Sequence, residues 1–291
     1  MSKETTMQYV SAKGVKVPAL GLGTWKLRGR ECQEVVEHAL ELGYRHFDTA
    51  QMYGNEADVG VGIRQSGIER SELWVTTKLW LDNLAYDAAT RTTHESLKRL
   101  ATPYVDLLLI HWPHTDIPLE VTLEAMVRLH DQGLVRCIGV SNFTPALLSQ
   151  ALRIAPISAV QLEYHPRLSQ ARMLAMARRS DLIFTAHSPL ARGGVLSDPT
   201  LSSIGERYGK TVSQVTLRWL IQQENVVAIP KASSYVHLAE NANIFDFELT
   251  RQDMDRIGNL TATAQRIVDP VIAPDWSRPM TMPEQATISE P

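Results

Sequence analysis

The sequence predicts an α/β fold, a (β/α)8 TIM barrel with an N-terminal β-hairpin and an extended C-terminal tail, and three observations carry that expectation. Eight short β-rich runs recur along the chain, longer helical patterns lie between them, and one run, VDLLLI, is continuously apolar. Continuous rather than alternating apolarity suits a parallel strand covered on both faces. Eight βα units favour a closed barrel over an open doubly wound sheet. A dinucleotide-binding Rossmann turn needs G-x-G-x-x-G, and GLGTWK lacks the third glycine.

The elements follow in order. MQYVSAKGVKVPAL reads as a hairpin turning at Lys13-Gly14, ahead of the barrel. The eight strands are expected at 21–25, 44–50, 73–78, 105–111, 135–142, 158–164, 182–188 and 226–231. In 31–43, Val35, Val36, Ala39, Leu40 and Leu42 recur at helical spacing, and Gly43 is a stop signal. The helix at 87–100 starts acidic and ends with Lys98 and Arg99, matching its dipole. A third helix, 122–133, ends in glycine; a fourth, 211–223, has Thr211 as candidate N-cap; and 201–209 adds a further helical pattern before the last strand. After about residue 262 the pattern dissolves, and five of fifteen prolines fall in the last thirty residues. That stretch is expected to lie over one single domain spanning 1–291.

Composition narrows the function classes. The 291 residues are 44% hydrophobic and 21% charged, enough for a large core. A net charge of −3 gives no electrostatic reason to expect nucleic acid. No apolar segment approaches the ~20 residues of a membrane span, and MSKETTMQYV has no secretory h-region. Cys32 and Cys137 are too few for a disulfide scaffold and suit a reducing compartment. The expectation is a cytoplasmic monomer without nucleic-acid or membrane partners.

Chemistry in such barrels sits at the C-terminal strand ends. Those ends read Trp25, Asp48, Lys78, His111, Asn142, Tyr164, His187 and Lys231, with Tyr53 just past Asp48. Several titratable groups at apolar strand ends suggest a site rather than packing. A tyrosine of ordinary pKa ~10 becomes a better proton donor beside an ammonium, which Lys78 would supply. Asp48 would keep Lys78 charged and oriented, and His111 would meet a substrate oxygen. Such a set can protonate the oxygen of a carbonyl under reduction, but the hydride must come from a nicotinamide cofactor. Trp25, Trp80 and Trp112 beside these residues suggest apolar walls for a small carbonyl. His111 and His114 form H-x-x-H, but no third ligand has supporting spacing, so no metal is expected.

The ordered fragments FDTAQMYGNE, TTKLW, LLLIHWP, GVSNF, QLEYHP and IPKASS resemble the aldo-keto reductase superfamily over roughly residues 8–261. APDW in the tail looks like the bacterial 2,5-diketogluconate reductase and methylglyoxal reductase subgroup. The resemblance implies a catalytic tetrad of Asp48, Tyr53, Lys78 and His111, with Tyr53 as general acid. It implies nicotinamide contacts at Ser141, Asn142 and Gln161, with Thr24 nearby and His187 where a stacked aromatic ring is usual. Ser188 and Leu190 would line the pyrophosphate path. Lys231, Ser233, His237, Glu240 and Asn241 would form the adenosine end, with Lys231 at a 2′-phosphate. Trp276 joins Trp25, Trp80 and Trp112 as a substrate residue.

Two departures from the family pattern bear on the cofactor. His187 replaces a tyrosine or tryptophan, and His237 stands where NADP-preferring members place arginine. NADPH is the expected cofactor, with NADH possible. The loop PLARGGVLS is short, so no long clamp over the dinucleotide is expected. The expected activity is reduction of aldehydes, ketoaldehydes or keto-sugar acids. Two alternatives stay open at this point: a non-catalytic nucleotide-binding subunit, and a Schiff-base aldolase using Lys78.

Overall fold

The computed structural model describes residues 7–263 and 266–277. Two antiparallel strands, β1 (Tyr9–Ala12) and β2 (Val15–Pro18), form the hairpin. Its turn residues Lys13 and Gly14 both adopt positive φ, 50° and 73°, as a tight two-residue hairpin turn requires.

The barrel strands are β3 (Leu22–Gly23), β4 (His46–Asp48), β5 (Trp74–Leu79), β6 (Val105–Ile110), β7 (Val135–Ser141), β8 (Ile157–Glu163), β9 (Ile183–His187) and β10 (Val226–Ala228). Each of the eight falls on an expected run. All pair in parallel with their sequence neighbours. Closure comes from the first and last strands. Leu20 bridges Ala228 in parallel, Gly21 N donates to Ala228 O at 2.9 Å, and Gly23 N donates to Pro230 O at 3.0 Å.

The helices are α1 (Gly29–Glu41), α2 (Glu56–Gln65), α3 (Tyr86–Leu100), α4 (Leu119–Asp131), α5 (Pro145–Ile154), α6 (Ala171–Arg179), α7 (Pro199–Tyr208), α8 (Val212–Ile221), α9 (Tyr235–Ala242) and α10 (Arg251–Gly258). The expected Thr211 cap is present: its side chain accepts from Gln214 N while Gln214 returns a bond to the Thr211 N–H, a reciprocal capping box. Helix α1 packs on α9, so the helical ring closes where the sheet does.

Two apolar layers hold the fold. Leu107, Leu109, Cys137, Ala159, Ile183 and Val227 form an inner cluster, sealed by Ala12 and Val17 of the hairpin. Leu108 and Ile110 of the same strand β6 belong instead to the larger cluster shared with the helices. This division is the physical content of VDLLLI: successive residues point to opposite faces, and both faces are buried. With the hairpin plugging the N-terminal end, the open end of the barrel is the C-terminal one. No helix among the described residues is long and apolar enough to cross a membrane. Of the expected tail beyond 262, residue 263 and residues 266–277 are described; its last three prolines lie outside the described residues.

Candidate active site

The strand ends converge on a cavity of about 830 Å³, within the range usual for small-molecule sites. Asp48, Tyr53 and His111 line it, and Lys78 lies wholly buried behind them. Lys78 Nζ donates to Asp48 Oδ1 at 2.5 Å and to the Thr49 carbonyl at 2.9 Å, and it lies 5.1 Å from the centroid of the Tyr53 ring. Asp48 Oδ2 accepts from Gln161 Nε2 at 2.8 Å. The rings of Tyr53 and His111 meet edge to face at 5.7 Å, and Trp80 meets His111 at 5.3 Å. The four residues of the expected tetrad are thus brought together.

Tyr53 reaches this position because the chain turns sharply after β4, through a 3-10 turn, Gln51–Tyr53, ended by Gly54 at φ 67°. Asn55, fully buried, ties that turn to the loop after β3. Its Nδ2 donates to the carbonyls of Thr24 and Leu27 at 2.8 and 2.9 Å, and its Oδ1 accepts from Thr49 Oγ1. Gln51 Oε1 accepts from Trp80 N and Asn83 Nδ2, joining the same turn to the loop after β5. Three loops are therefore bonded into one rim.

Burial and charge compete at each titratable group. Burial raises the Tyr53 pKa and the Lys78 ammonium opposes it, with a net upward direction. The expected lowering by Lys78 is present but outweighed, so the phenol stays protonated at neutral pH. For Lys78, burial would lower the pKa; the Asp48 carboxylate and Tyr53 oxygen overcome it, and the ammonium is retained. Burial, with Lys78 and His187 adding, takes His111 well below the usual imidazole range. Its Nδ1 is buried without a partner. A buried orphan N–H is costlier than an unmet acceptor, which puts the His111 proton on Nε2. Burial also lowers His187 to about 3 despite Glu163.

The expected cofactor residues divide by position. Thr24, Asn142, Gln161, His187, Ser188, Leu190, Lys231, His237, Glu240 and Asn241 all line the cavity. Asn142 Nδ2 donates to the His111 carbonyl and to Ser141 Oγ, both at 3.0 Å, and Asn142 Oδ1 accepts from His187 Nε2 at 3.0 Å. Ser141 is buried beneath Asn142 and outside the lining, and Ser233 is exposed at the surface, also outside it. Trp25, Trp80 and Trp112 line the cavity. Trp276 does not; it packs on Trp112 from behind, ring centroids 6.5 Å apart. Tyr164 points to the helical layer, where its hydroxyl donates to Gln223 Oε1.

Sequence reasoning overlooked several lining residues: Lys26, Met52, Arg192, Ser213 and the tail residues Ile267 and Val268. A basic residue in each of the loops after β3 and β9 was the available signal for Lys26 and Arg192. The loop after β9 is short, as expected, yet it still spans the cavity. Arg192 lies over the Trp25 ring at 5.0 Å, with Lys26 at 4.8 Å. Ser188, Ala191 and Arg192 all sit at φ 50°, so that reach is held by strained backbone of the kind that gathers at functional sites.

Comparison with known proteins gives a consistent answer. A profile of the Aldo/keto reductase family matches residues 19–262. The chain is 42% identical over 250 residues to the glyoxal reductase of Bacillus subtilis, covering 85% of this chain and 90% of that one. A crystal structure assigned as a 2,5-diketo-D-gluconic acid reductase B superposes with a TM-score of 0.91 at 44% identity, covering 94% of this chain and 99% of that one. The aldose reductase of Schistosoma japonicum superposes with a TM-score of 0.87 at 31% identity, over 92% and 96% of the two chains.

Proposed function

This chain belongs to the aldo/keto reductase family, and on that premise we propose that it reduces small aldehydes, ketoaldehydes or keto-sugar acids, with Tyr53 as the proton donor and NADPH as the preferred cofactor. It is an NAD(P)H-dependent oxidoreductase of carbonyl compounds. The observation that carries the residue assignment is the buried Lys78–Asp48 pair, with the ammonium 5.1 Å from the ring centroid of a protonated Tyr53 and a neutral His111 against that ring.

The donor set along the cavity fits a nicotinamide dinucleotide. Among the lining residues, Asn142 and Gln161 offer amides, and Lys26, Arg192 and Lys231 offer cations. When bound, the reduced nicotinamide supplies the hydride. The chain supplies the rest. His111 Nε2–H donates to the carbonyl oxygen and orients it; Tyr53 transfers its phenolic proton to that oxygen; and Lys78 stabilises the phenolate left behind. Asp48 holds the ammonium charged and directed. Trp25, Trp80 and Trp112 give apolar walls that exclude water. Lys78 is buried, protonated and outside the lining, the opposite of what a Schiff-base nucleophile needs.

The cofactor preference rests on Lys231 and His237, both of which line the cavity. A guanidinium grips a phosphate through two parallel bonds, a fork that an imidazole ring cannot present. NADPH preference should therefore be present but modest. A carbonyl panel measured for kcat/KM with NADPH and with NADH tests both halves of the proposal. Replacing His237 by Arg should tighten NADPH about tenfold and leave NADH little changed. Equal gains for both cofactors, or no NADPH loss in Lys231→Ala, would refute the 2′-phosphate assignment.

A further inference from the structure

Glu163 is the last residue of β8 and is fully buried, yet no step above uses it. Both its oxygens are aimed at the C-terminal tail. Oε1 accepts from the Ile267 backbone N–H at 2.8 Å, and Oε2 accepts from the Val268 N–H at 2.7 Å. The chain separation is 104 and 105 residues. A buried carboxylate is costly unless its lone pairs are met, and here the tail backbone meets two of them.

A third bond comes from His165, also fully buried, whose Nε2 lies 2.9 Å from Oε1. The other nitrogen, Nδ1, accepts from Arg167 N at 3.2 Å. That fixes the proton on Nε2 and makes His165 a donor to the carboxylate. Burial works against the Glu163 charge, but these three donors overcome it and hold its pKa below the usual range.

What the carboxylate grips is a wall of the cavity. Ile267 and Val268 line it, as do Asp269, Pro270 and Ile272 just beyond. The tail then folds back on itself: Arg266 stacks on Trp276 at 3.7 Å from the ring centroid, Trp276 Nε1 donates to Asp269 Oδ1, and Trp276 packs on Trp112. The ring contact between Trp276 and Trp112 is apolar and sets no register by itself. The two charge-assisted bonds fix its register.

We infer that Glu163 is a positioning residue: its carboxylate clasps the Ile267–Val268 backbone and thereby sets the tail wall of the carbonyl pocket, so that it governs substrate fit and not cofactor affinity. This rests on the carbonyl-reductase reading of the cavity. Glutamine keeps the size of Glu163 but presents an N–H to donors, so Glu163→Gln must lose at least one tail bond. Val268→Pro removes one donor from the tail side and leaves the barrel untouched.

The Arg266–Ile267 peptide bond is a trypsin site within the clasped segment. Limited trypsin digestion with NADPH present, read by mass spectrometry, should show cleavage there about tenfold faster in both variants, the loss of one charge-assisted bond. Cleavage elsewhere should be unchanged. KM for the best carbonyl should rise about tenfold while kcat and the NADPH Kd move by less than about threefold. Unchanged cleavage after Arg266, or an NADPH Kd weakened as much as KM, would overturn the inference. The protease readout needs no turnover, so it decides the clasp even if no carbonyl is reduced, a result that would sink the reductase reading instead.

Discussion

Tyr53 carries opposing influences that a substitution can separate. Burial raises its pKa and Lys78 restrains the rise, so the phenol is protonated throughout the neutral range. Tyr53→Phe keeps the ring against His111 and removes only the proton. Since general acid catalysis is typically worth about 10²–10⁴-fold, kcat should fall by that order while the NADPH Kd is preserved. A variant retaining more than about half the wild-type kcat would end the assignment. Lys78→Met removes the charge that restrains the pKa, so any basic limb reporting Tyr53 must move to higher pH and kcat must drop. A downward or absent shift in the pH profile, with activity kept, would leave Lys78 a structural residue. At this scale the sequence was informative because parallel strands end where the chemistry is. Asp48, Lys78 and His111 were legible as polar residues closing apolar runs, and the family resemblance added their roles. The supporting contacts were not legible: the Thr49 carbonyl under Lys78, Asn55 across the turn that carries Tyr53, and Glu163 under the tail join distant loops and leave no local pattern.

Strands were easier to read than helices, for a physical reason. A barrel strand buried on both faces is a run of apolar residues, whereas helix α2 is EADVGVGIRQ, poor in strong helix formers. Its glycines serve packing: a Cβ at Gly60 would strike the Leu100 carbonyl, and one at Gly62 would meet Val36 at 2.8 Å. Tertiary contact thus overrides propensity there, and α5, α6, α9 and α10 escaped the sequence reading as well. Strand β3 shrank from the expected five residues to Leu22–Gly23 because the next residue turns out of the sheet, Thr24 bonding to the Asp48 carbonyl through both N and Oγ1. A tight element contact lies between β7 and β8, whose register shifts between Ile138 and Gly139. A Cβ at Gly139 would collide with the Ala159 carbonyl and lie 2.8 Å from Leu109 Cδ2. Gly139→Ala must push the strands apart, which should cost about 3 kcal/mol or more. Because β7 leads into Asn142 and β8 carries Gln161, kcat/KM should fall with it. Thr211→Ala removes a cap far from these strands and should cost only about 1 kcal/mol with activity intact. Urea midpoints and kcat/KM for both variants test the contrast; a Gly139→Ala protein as stable and active as Thr211→Ala would show that the strands yield freely.

For the molecule as a whole, the barrel's way of burying polar groups sets its response to acid. His46, at the start of β4, is 1% exposed; its Nδ1 lies 3.3 Å from the Pro18 carbonyl and so donates to it, and its ring meets Trp74 edge on. Burial lowers its pKa to about 4, as it lowers His187 to about 3, and His111 moves in the same direction. These imidazoles are neutral in the folded chain, but in the unfolded chain they titrate near ~6.5. Below that pH the unfolded state binds protons that the native state refuses, so stability falls as pH falls, by about 1.4 kcal/mol per pH unit for each such group. The loss runs from the unfolded pKa down to the folded values of about 4 and about 3. Most of it precedes carboxylate protonation in the unfolded chain, which centres near ~4, so histidines dominate the window between about pH 6.5 and 4.5. At pH 4.5, His46 and His187 together should have cost about 5 kcal/mol, comparable to a whole domain's stability. Urea midpoints measured across that window should therefore drop steeply toward acid. His46→Asn places an amide N–H where Nδ1 stands and cannot take up a proton in this range. Its cavity lowers stability at pH 7.5, yet its decline with acid should be shallower than wild type by about one proton's slope. A parallel, equally steep decline in both proteins would show that burial of His46 does not set the acid limit.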